Sequence, residues 1–215
     1  MLETLRDQVW KLHHELPKND LVRWTGGNVS GRDPATGLVV IKPSGVKYED
    51  LRPEQLVVVD LDGNIISAKV DRRPSSEIPM HLEVYKQRDD VHAVVHAHPI
   101  FATALTVAGL EFPVDVLPEV LLTLGDVPIT AYATPSSHED AVVIRPFVKQ
   151  HNALLLCQHG SLTYGKNLDE ALIHLERIEH VSEIYYRAKM LGHVKRVPPE
   201  AQAQLIELRE KYFKG

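Results

Sequence analysis

Apolar residues recur at helical spacing near the start of the chain. Leu2, Leu5, Val9, Leu12 and Leu16 fall on one stripe and predict a helix over residues 2–16. Pro17 and the polar residues up to Asp20 end it. Trp24-Thr25-Gly26-Gly27-Asn28-Val29-Ser30-Gly31 is too glycine-rich for a helix and reads as a loop entering a short strand. A turn over 33–37 then leads to a strand over 38–41, which together predict a hairpin. Lys42-Pro43-Ser44-Gly45 is a second turn, and a strand over 56–61 closes at Asp62-Gly63, a strong hairpin signal.

The rhythm changes in the middle of the chain. Pro74-Ser75-Ser76-Glu77 precedes Ile78, Leu82 and Tyr85, so a serine cap with an acidic first turn is expected to open a helix. Strands follow at 91–98, 127–133 and 153–157, with helices at 101–108, 138–150, 168–191 and 199–213. Alternating strands and helices predict the α/β class, with helices covering a central sheet. No internal repeat, low-complexity run or linker divides the chain, so one domain over 1–215 is expected.

Composition narrows the setting. The 215 residues carry a formal net charge of −5, which gives no footprint for nucleic acid or an anionic membrane. No apolar run reaches the roughly 18 residues of a membrane span, and the charged N-terminus lacks a signal-peptide core. The lone Cys157 cannot form an internal disulfide, so a reducing, cytoplasmic compartment is expected. Twelve histidines against one cysteine mean that any transition metal is held by imidazole and carboxylate.

The sharpest candidate chemistry is His96-Ala97-His98-Pro99. Residues two apart on a strand share a face, so His96 and His98 project side by side at a strand end. Val91, Ala93, Val95 and Ala97 face the other way as core, and His92 reads as a packing or supporting residue on the histidine face. Residues 154–160 repeat the pattern: an apolar strand ends in His159-Gly160. Glu77 adds a carboxylate, and three histidines with one carboxylate suit Zn²⁺, with Mn²⁺ or Co²⁺ as alternatives. Cys157 is read as packing. The remaining histidines, His13, His14, His81, His138, His151, His174, His180 and His193, are expected on solvated helix surface.

Three loops combine glycine with hydroxyl or amide donors, as an anion site requires: Thr25-Gly26-Gly27-Asn28, Ser44-Gly45 and Ser75-Ser76, with Lys42 to add charge. The same residues also serve as ordinary turns and caps. None matches a nucleotide-binding fingerprint.

These motifs, in this order, resemble the class II aldolase/adducin family from about residue 2 to 192: Thr25-Gly26-Gly27-Asn28-Val29-Ser30, Lys42-Pro43-Ser44-Gly45, Ser75-Ser76-Glu77, His96-Ala97-His98 and His159-Gly160. The resemblance implies a three-layer α/β/α sandwich with a central, largely antiparallel sheet, assembled as a homotetramer with active sites at subunit interfaces. It implies Zn²⁺ on His96, His98 and His159, with Glu77 as resting ligand and acid/base in turnover. Thr25, Gly27, Asn28, Ser44, Gly45, Ser75 and Ser76 would cradle a substrate phosphate. The implied reaction is metal-assisted cleavage of a small ketose phosphate to dihydroxyacetone phosphate and an aldehyde through an enediolate. A sugar-phosphate 4-epimerase, or a sugar-acid phosphate decarboxylase or dehydratase, would use the same site. Glu77 matches the aldolase branch, whereas the epimerases carry aspartate there and another aspartate that falls near Leu121. The aldolases' tyrosine has no counterpart over 114–119, which leaves Tyr212 or Glu119 as the expected proton donor.

Overall fold

The computed structural model describes residues 2–69 and 72–212. Its helices are α1 (Glu3–Lys18), α2 (Ile78–Gln87), α3 (Ile100–Val107), α4 (Pro118–Thr123), α5 (His138–Ile144), α6 (Leu168–Leu191) and α7 (Pro199–Tyr212). Its strands are β1 (Asn28–Arg32), β2 (Val39–Ile41), β3 (Val57–Val59), β4 (Ile65–Ser67), β5 (Ala93–Ala97), β6 (Ala153–Leu156) and β7 (Gly160–Gly165). The strands form one antiparallel sheet in the order β4-β3-β2-β1-β5-β7-β6.

Strand alternation sorts the core into two layers. Val29, Val40, Ala93 and Val95 face Val9 and Leu12 of α1 and Leu175 of α6. Ile41, Val57, Val94 and Leu162 face Met80 and Tyr85 of α2 and Ile144 of α5. Helices therefore cover both faces of the sheet, and the three-layer α/β/α sandwich is borne out. A further cluster joins α3, α4 and α6 beside β6 through Leu105, Val120 and Ile178.

Several expectations change against this frame. Helix α1 runs through Pro17 to Lys18, since a proline in the last turn costs little more than one helical hydrogen bond. Residues 127–133 form no strand. They make one parallel bridge, Ile129 to Leu155, and Pro128 has no N–H to extend it. The helix expected over 138–150 stops at Ile144, because Pro146 supplies no N–H to continue it. Both α4 and β7 lie outside the expected elements, although Thr163-Tyr164 between Gly160 and Gly165 is a strand signal. Residue 213, the last of the expected C-terminal helix, lies outside the described residues.

Three histidines expected at the surface are buried: His13, His81 and His174. Each is placed by a hydrogen bond. His13 Nδ1 donates to the Val9 carbonyl at 2.8 Å while the Val29 N–H donates to its Nε2 at 2.9 Å, tying α1 to β1. His174 Nδ1 donates to the Tyr164 carbonyl, and His81 meets Ser30. His138, His180 and His193 are exposed as expected.

Candidate metal and phosphate site

The site lies where β1, β5 and the β6–β7 turn meet the start of α2. Asn28 of β1 stands directly opposite His96 of β5, so the sheet register places them together. His98 follows the end of β5, and its N–H donates to the Leu21 carbonyl at 3.0 Å. Pro99 then caps α3, whose first N–H groups at Phe101 and Ala102 donate to the Glu179 carboxylate of α6. His159 sits in the tight turn from β6 to β7. Gln158, with φ 54°, adopts the left-handed conformation that reverses the chain there. Gly160 is required: a Cβ at that position would overlap the Ala97 carbonyl oxygen and stand 2.9 Å from His98 Cδ2. Gly27, with φ 72°, allows the loop to pass 2.9 Å (measured from the Cβ it lacks) from the His96 carbonyl oxygen.

One ring nitrogen from each of His96, His98 and His159 lies within 4.8 Å of the other two, the only such group among the described residues. The ring centroids are 4.7 to 5.1 Å apart. His96 Nδ1 donates to the Ser161 carbonyl at 2.8 Å, which leaves Nε2, 3.0 Å from His98 Nε2, facing the other two rings. Glu77 joins the group with Oε2 3.4 Å from His96 Nε2 and Oε1 3.2 Å from His159 Nε2. Asn28 Nδ2 donates to Glu77 Oε2 at 2.7 Å. Three imidazoles and one carboxylate converge from a half-buried position, a donor set that fits a divalent first-row ion.

Glu77 is the N-cap residue of α2, not a member of its first turn, and its side chain makes no capping bond. The serine cap expected for this helix is likewise absent. Ser75 Oγ accepts only a 3.4 Å contact from the Glu77 N–H. The carboxylate is thereby released from capping and turned to the histidines.

The charges of the cluster oppose its burial. Burial alone pushes the Glu77 carboxyl up, yet the charges and hydrogen bonds of His96 and His159 hold it far below the usual carboxylate range. Burial lowers His96, but Glu77 and the Ser161 carbonyl more than offset this and raise it. His98 is pushed down to about 3 by burial and by the two neighbouring imidazoles.

Three loops adjoin this cluster and are stitched together. Lys42 Nζ donates to the Thr25 carbonyl at 2.8 Å and lies 4.5 Å over the Tyr48 ring. The Ser75 N–H donates to the Lys42 carbonyl at 2.9 Å, and the Ser44 N–H to the Arg73 carbonyl at 3.0 Å. Pro43 pairs with Pro74 across these two loops. Thr25, Ser44, Gly45 and Ser76 are exposed, while Gly27, Asn28, Lys42 and Ser75 are buried beneath them. Burial lowers Lys42 to about 8, and the Glu77 charge only partly restores it.

Other expected residues lie elsewhere. His92 precedes β5 and lines the cleft between α1 and the start of α6, so strand alternation does not extend to it. Cys157 is half-buried and outside the histidine group. Glu119 is exposed on α4, against which α7 packs through Arg209 Nη2 and the Leu124 carbonyl at 2.9 Å. Arg209 also lies beside Lys149 and His151, at the end of β6 remote from His159. Tyr212, one turn further along α7, is 64% exposed and is not brought to the histidines of its own chain.

The structure adds residues that local patterns did not single out. Ser30 Oγ meets both His81 Nδ1 at 2.7 Å and the Tyr85 hydroxyl at 2.8 Å beneath the site. Ser136 Oγ lies 2.8 Å from Ser76 Oγ, and the Ser136 N–H donates to Asp140 Oδ2 at 2.6 Å. Burial raises the Asp140 carboxyl against that hydrogen bond and the charges of His159 and His96. The turn 134–137 announces itself only as Thr-Pro-Ser-Ser.

Known proteins share this arrangement of chain. Residues 7–186 match the family model described as the class II aldolase and adducin N-terminal domain. The chain is 32% identical over 213 residues, 99% of itself and 98% of its relative, to a 5-deoxy-D-ribulose 1-phosphate aldolase of Bacillus thuringiensis. Among solved structures, an L-fuculose 1-phosphate aldolase superposes with a TM-score of 0.87 at 32% identity, covering 97% of each chain. YgbL of Escherichia coli, titled a putative aldolase/epimerase/decarboxylase, superposes with a TM-score of 0.86 at 26% identity, covering 95% of this chain and 98% of its own.

Proposed function

This chain belongs to the class II aldolase and adducin family, and on that premise we propose that it is a divalent-metal-dependent aldolase of a small ketose 1-phosphate. The observation that carries the reading is Glu77: a carboxylate freed from helix capping, held by Asn28 and set between His96 and His159. The products are dihydroxyacetone phosphate and an aldehyde.

His96, His98 and His159 hold the ion, Zn²⁺ by the preference of three imidazoles and a carboxylate, with Mn²⁺ or Co²⁺ able to replace it. When bound, the ion supplies Lewis-acid polarisation of the substrate's carbonyl and hydroxyl oxygens. Glu77 moves the proton at carbon, since its Oε atoms face the same space as the ligating nitrogens. Asn28 orients that carboxylate through its 2.7 Å hydrogen bond. Thr25, Gly27, Ser44, Gly45, Ser75 and Ser76 clamp the phosphate, and Lys42 contributes charge from below. The clamp positions the reacting carbons against the metal and Glu77.

The protein acts in the cytoplasm as a homotetramer, with subunit interfaces at the active sites. Ile100 and Val107, exposed on the helix that follows His98, support a covering subunit there. Within one chain Tyr212 does not reach the cluster, so as proton donor it serves a neighbouring subunit. Epimerisation is disfavoured, because two relatives of high coverage carry aldolase names and Glu77 stands where the epimerases have aspartate. The test is release of dihydroxyacetone phosphate by metal-replete protein from a panel of ketose 1-phosphates, including L-fuculose 1-phosphate and 5-deoxy-D-ribulose 1-phosphate. A panel without turnover would overturn the assignment.

A further inference from the structure

Ser76 meets a partner from a distant part of the chain. Its hydroxyl lies 2.8 Å from that of Ser136, sixty residues away. Both residues are exposed. Two hydroxyls that share one hydrogen bond have one O–H proton between them left over. That proton is free to donate outward, whichever serine donates within the pair.

The position of Ser136 is held by specific contacts. Its φ of 62° is left-handed, which costs free energy for any residue with a Cβ. The conformation is held from behind: the Ser136 N–H donates to Asp140 Oδ2 at 2.6 Å. Asp140 is 3% exposed, and the turn that it holds reaches Ser76, the residue next to Glu77 in the chain. The same turn is tied at its other end, where the Thr134 N–H donates to Glu139 Oε2. A buried carboxylate and a left-handed serine thus aim one hydroxyl at the loop read above as part of the phosphate clamp.

We propose that Ser136 is a substrate-binding residue that completes the phosphate clamp in tandem with Ser76, and that Asp140 is its positioning residue. The inference rests on the reading of the 75–76 loop as a phosphate site. It assigns a donor from the 134–137 turn, so the clamp spans four loops instead of three. It also explains why a carboxylate is tolerated close to an anion site: both Asp140 and the substrate phosphate accept hydrogen bonds from Ser136, one from its N–H and the other from its O–H, so they lie on opposite sides of the residue.

The test uses metal-replete protein, the ketose 1-phosphate it turns over, and inorganic phosphate as competitive inhibitor. Ser136→Gly removes the hydroxyl and relieves the left-handed strain. The expected result is a rise of about tenfold in KM and in the phosphate inhibition constant, with kcat within about twofold and the melting temperature unchanged or raised. Asp140→Ala is expected to raise KM similarly, to add nothing in the Ser136→Gly background, and to be rescued by Asp140→Asn, which keeps an acceptor for the N–H. A purely structural role predicts instead that Asp140→Ala lowers stability while Ser136→Gly leaves KM unchanged, and that result overturns the inference. Ser76→Ala separates the two readings. If it weakens phosphate binding and Ser136→Gly does not, only the role of Ser136 fails. If neither does, the phosphate clamp itself is wrong.

Discussion

Acid should destabilise this protein, and two fully buried histidines, His13 and His81, supply a defined part of the effect. Burial lowers each from 6.5 to about 3, with smaller like-charge contributions from Lys42 to His13 and from His96 to His81. In His13 the neutral ring is also required by its bonds, because Nε2 accepts from the Val29 N–H and cannot do so once protonated. The unfolded chain takes up these protons near pH 6.5, whereas the folded chain resists them down to about pH 3. The folded state binds fewer protons across that window, so stability falls as pH falls through it. At pH 5 the deficit is roughly 1.5 pH units, or about 2 kcal/mol for each histidine and about 4 kcal/mol for the pair. That is a large share of a typical 5–15 kcal/mol of folding free energy.

The assay is urea unfolding of metal-free protein at several pH values between 7.5 and 5, for wild type and His13→Gln. The variant is expected to be less stable at pH 7.5, where it loses the fitted imidazole. Its stability should then fall less steeply with acid, by about 1.4 kcal/mol per pH unit in the lower part of the range. His96, whose pKa is raised beside Glu77, contributes with the opposite sign, and the difference between the two proteins cancels it. Glu77 contributes only below the ordinary carboxylate range, outside the window measured. Identical slopes for the two proteins would refute the assignment of His13 as a buried neutral residue.

The remaining predictions concern the site. Gly160→Ala forces a methyl against the Ala97 carbonyl and His98, so metal stoichiometry by elemental analysis should fall along with about 1–3 kcal/mol of stability; full metal content would contradict the geometry. Glu77→Gln keeps the shape but not the base, and kcat should fall by about 10²–10⁴-fold, which steady-state kinetics would reveal. Lys42, lowered to about 8 by burial, loses its charge as pH rises through that value, so KM for a ketose 1-phosphate should climb above pH 8, and Lys42→Arg should abolish the climb.

Much of the fold is legible in residue order because local physics writes it there. The α1 stripe, the Asp62-Gly63 turn and the capped α6 all follow from spacing and turn chemistry within a few residues. The elements that escape are those decided by neighbours. β7 is a strand because β5 and β6 flank it on both sides, and Pro128 and Pro146 cut short a strand and a helix that periodicity alone would extend. Buried histidines are the instructive case. Sequence marks His13 and His174 as polar residues on helices, but a carbonyl or N–H from a distant strand satisfies each ring, and burial follows from that partner.

The sequence by itself singled out the candidate residues of the site. Strand alternation pairs His96 with His98, a strand end delivers His159, and the glycine-hydroxyl loops stand out as candidate anion sites, because these properties depend on residue type and short spacing. Only the tertiary structure decided how they meet. Glu77 is released from its helix, held by Asn28 of β1 and set against His96 and His159, and Ser136 is aimed at Ser76 by a buried Asp140. Apart from the local Ser136–Asp140 bond, these contacts join residues well separated in the chain, and tertiary packing, not a sequence interval, sets their distances.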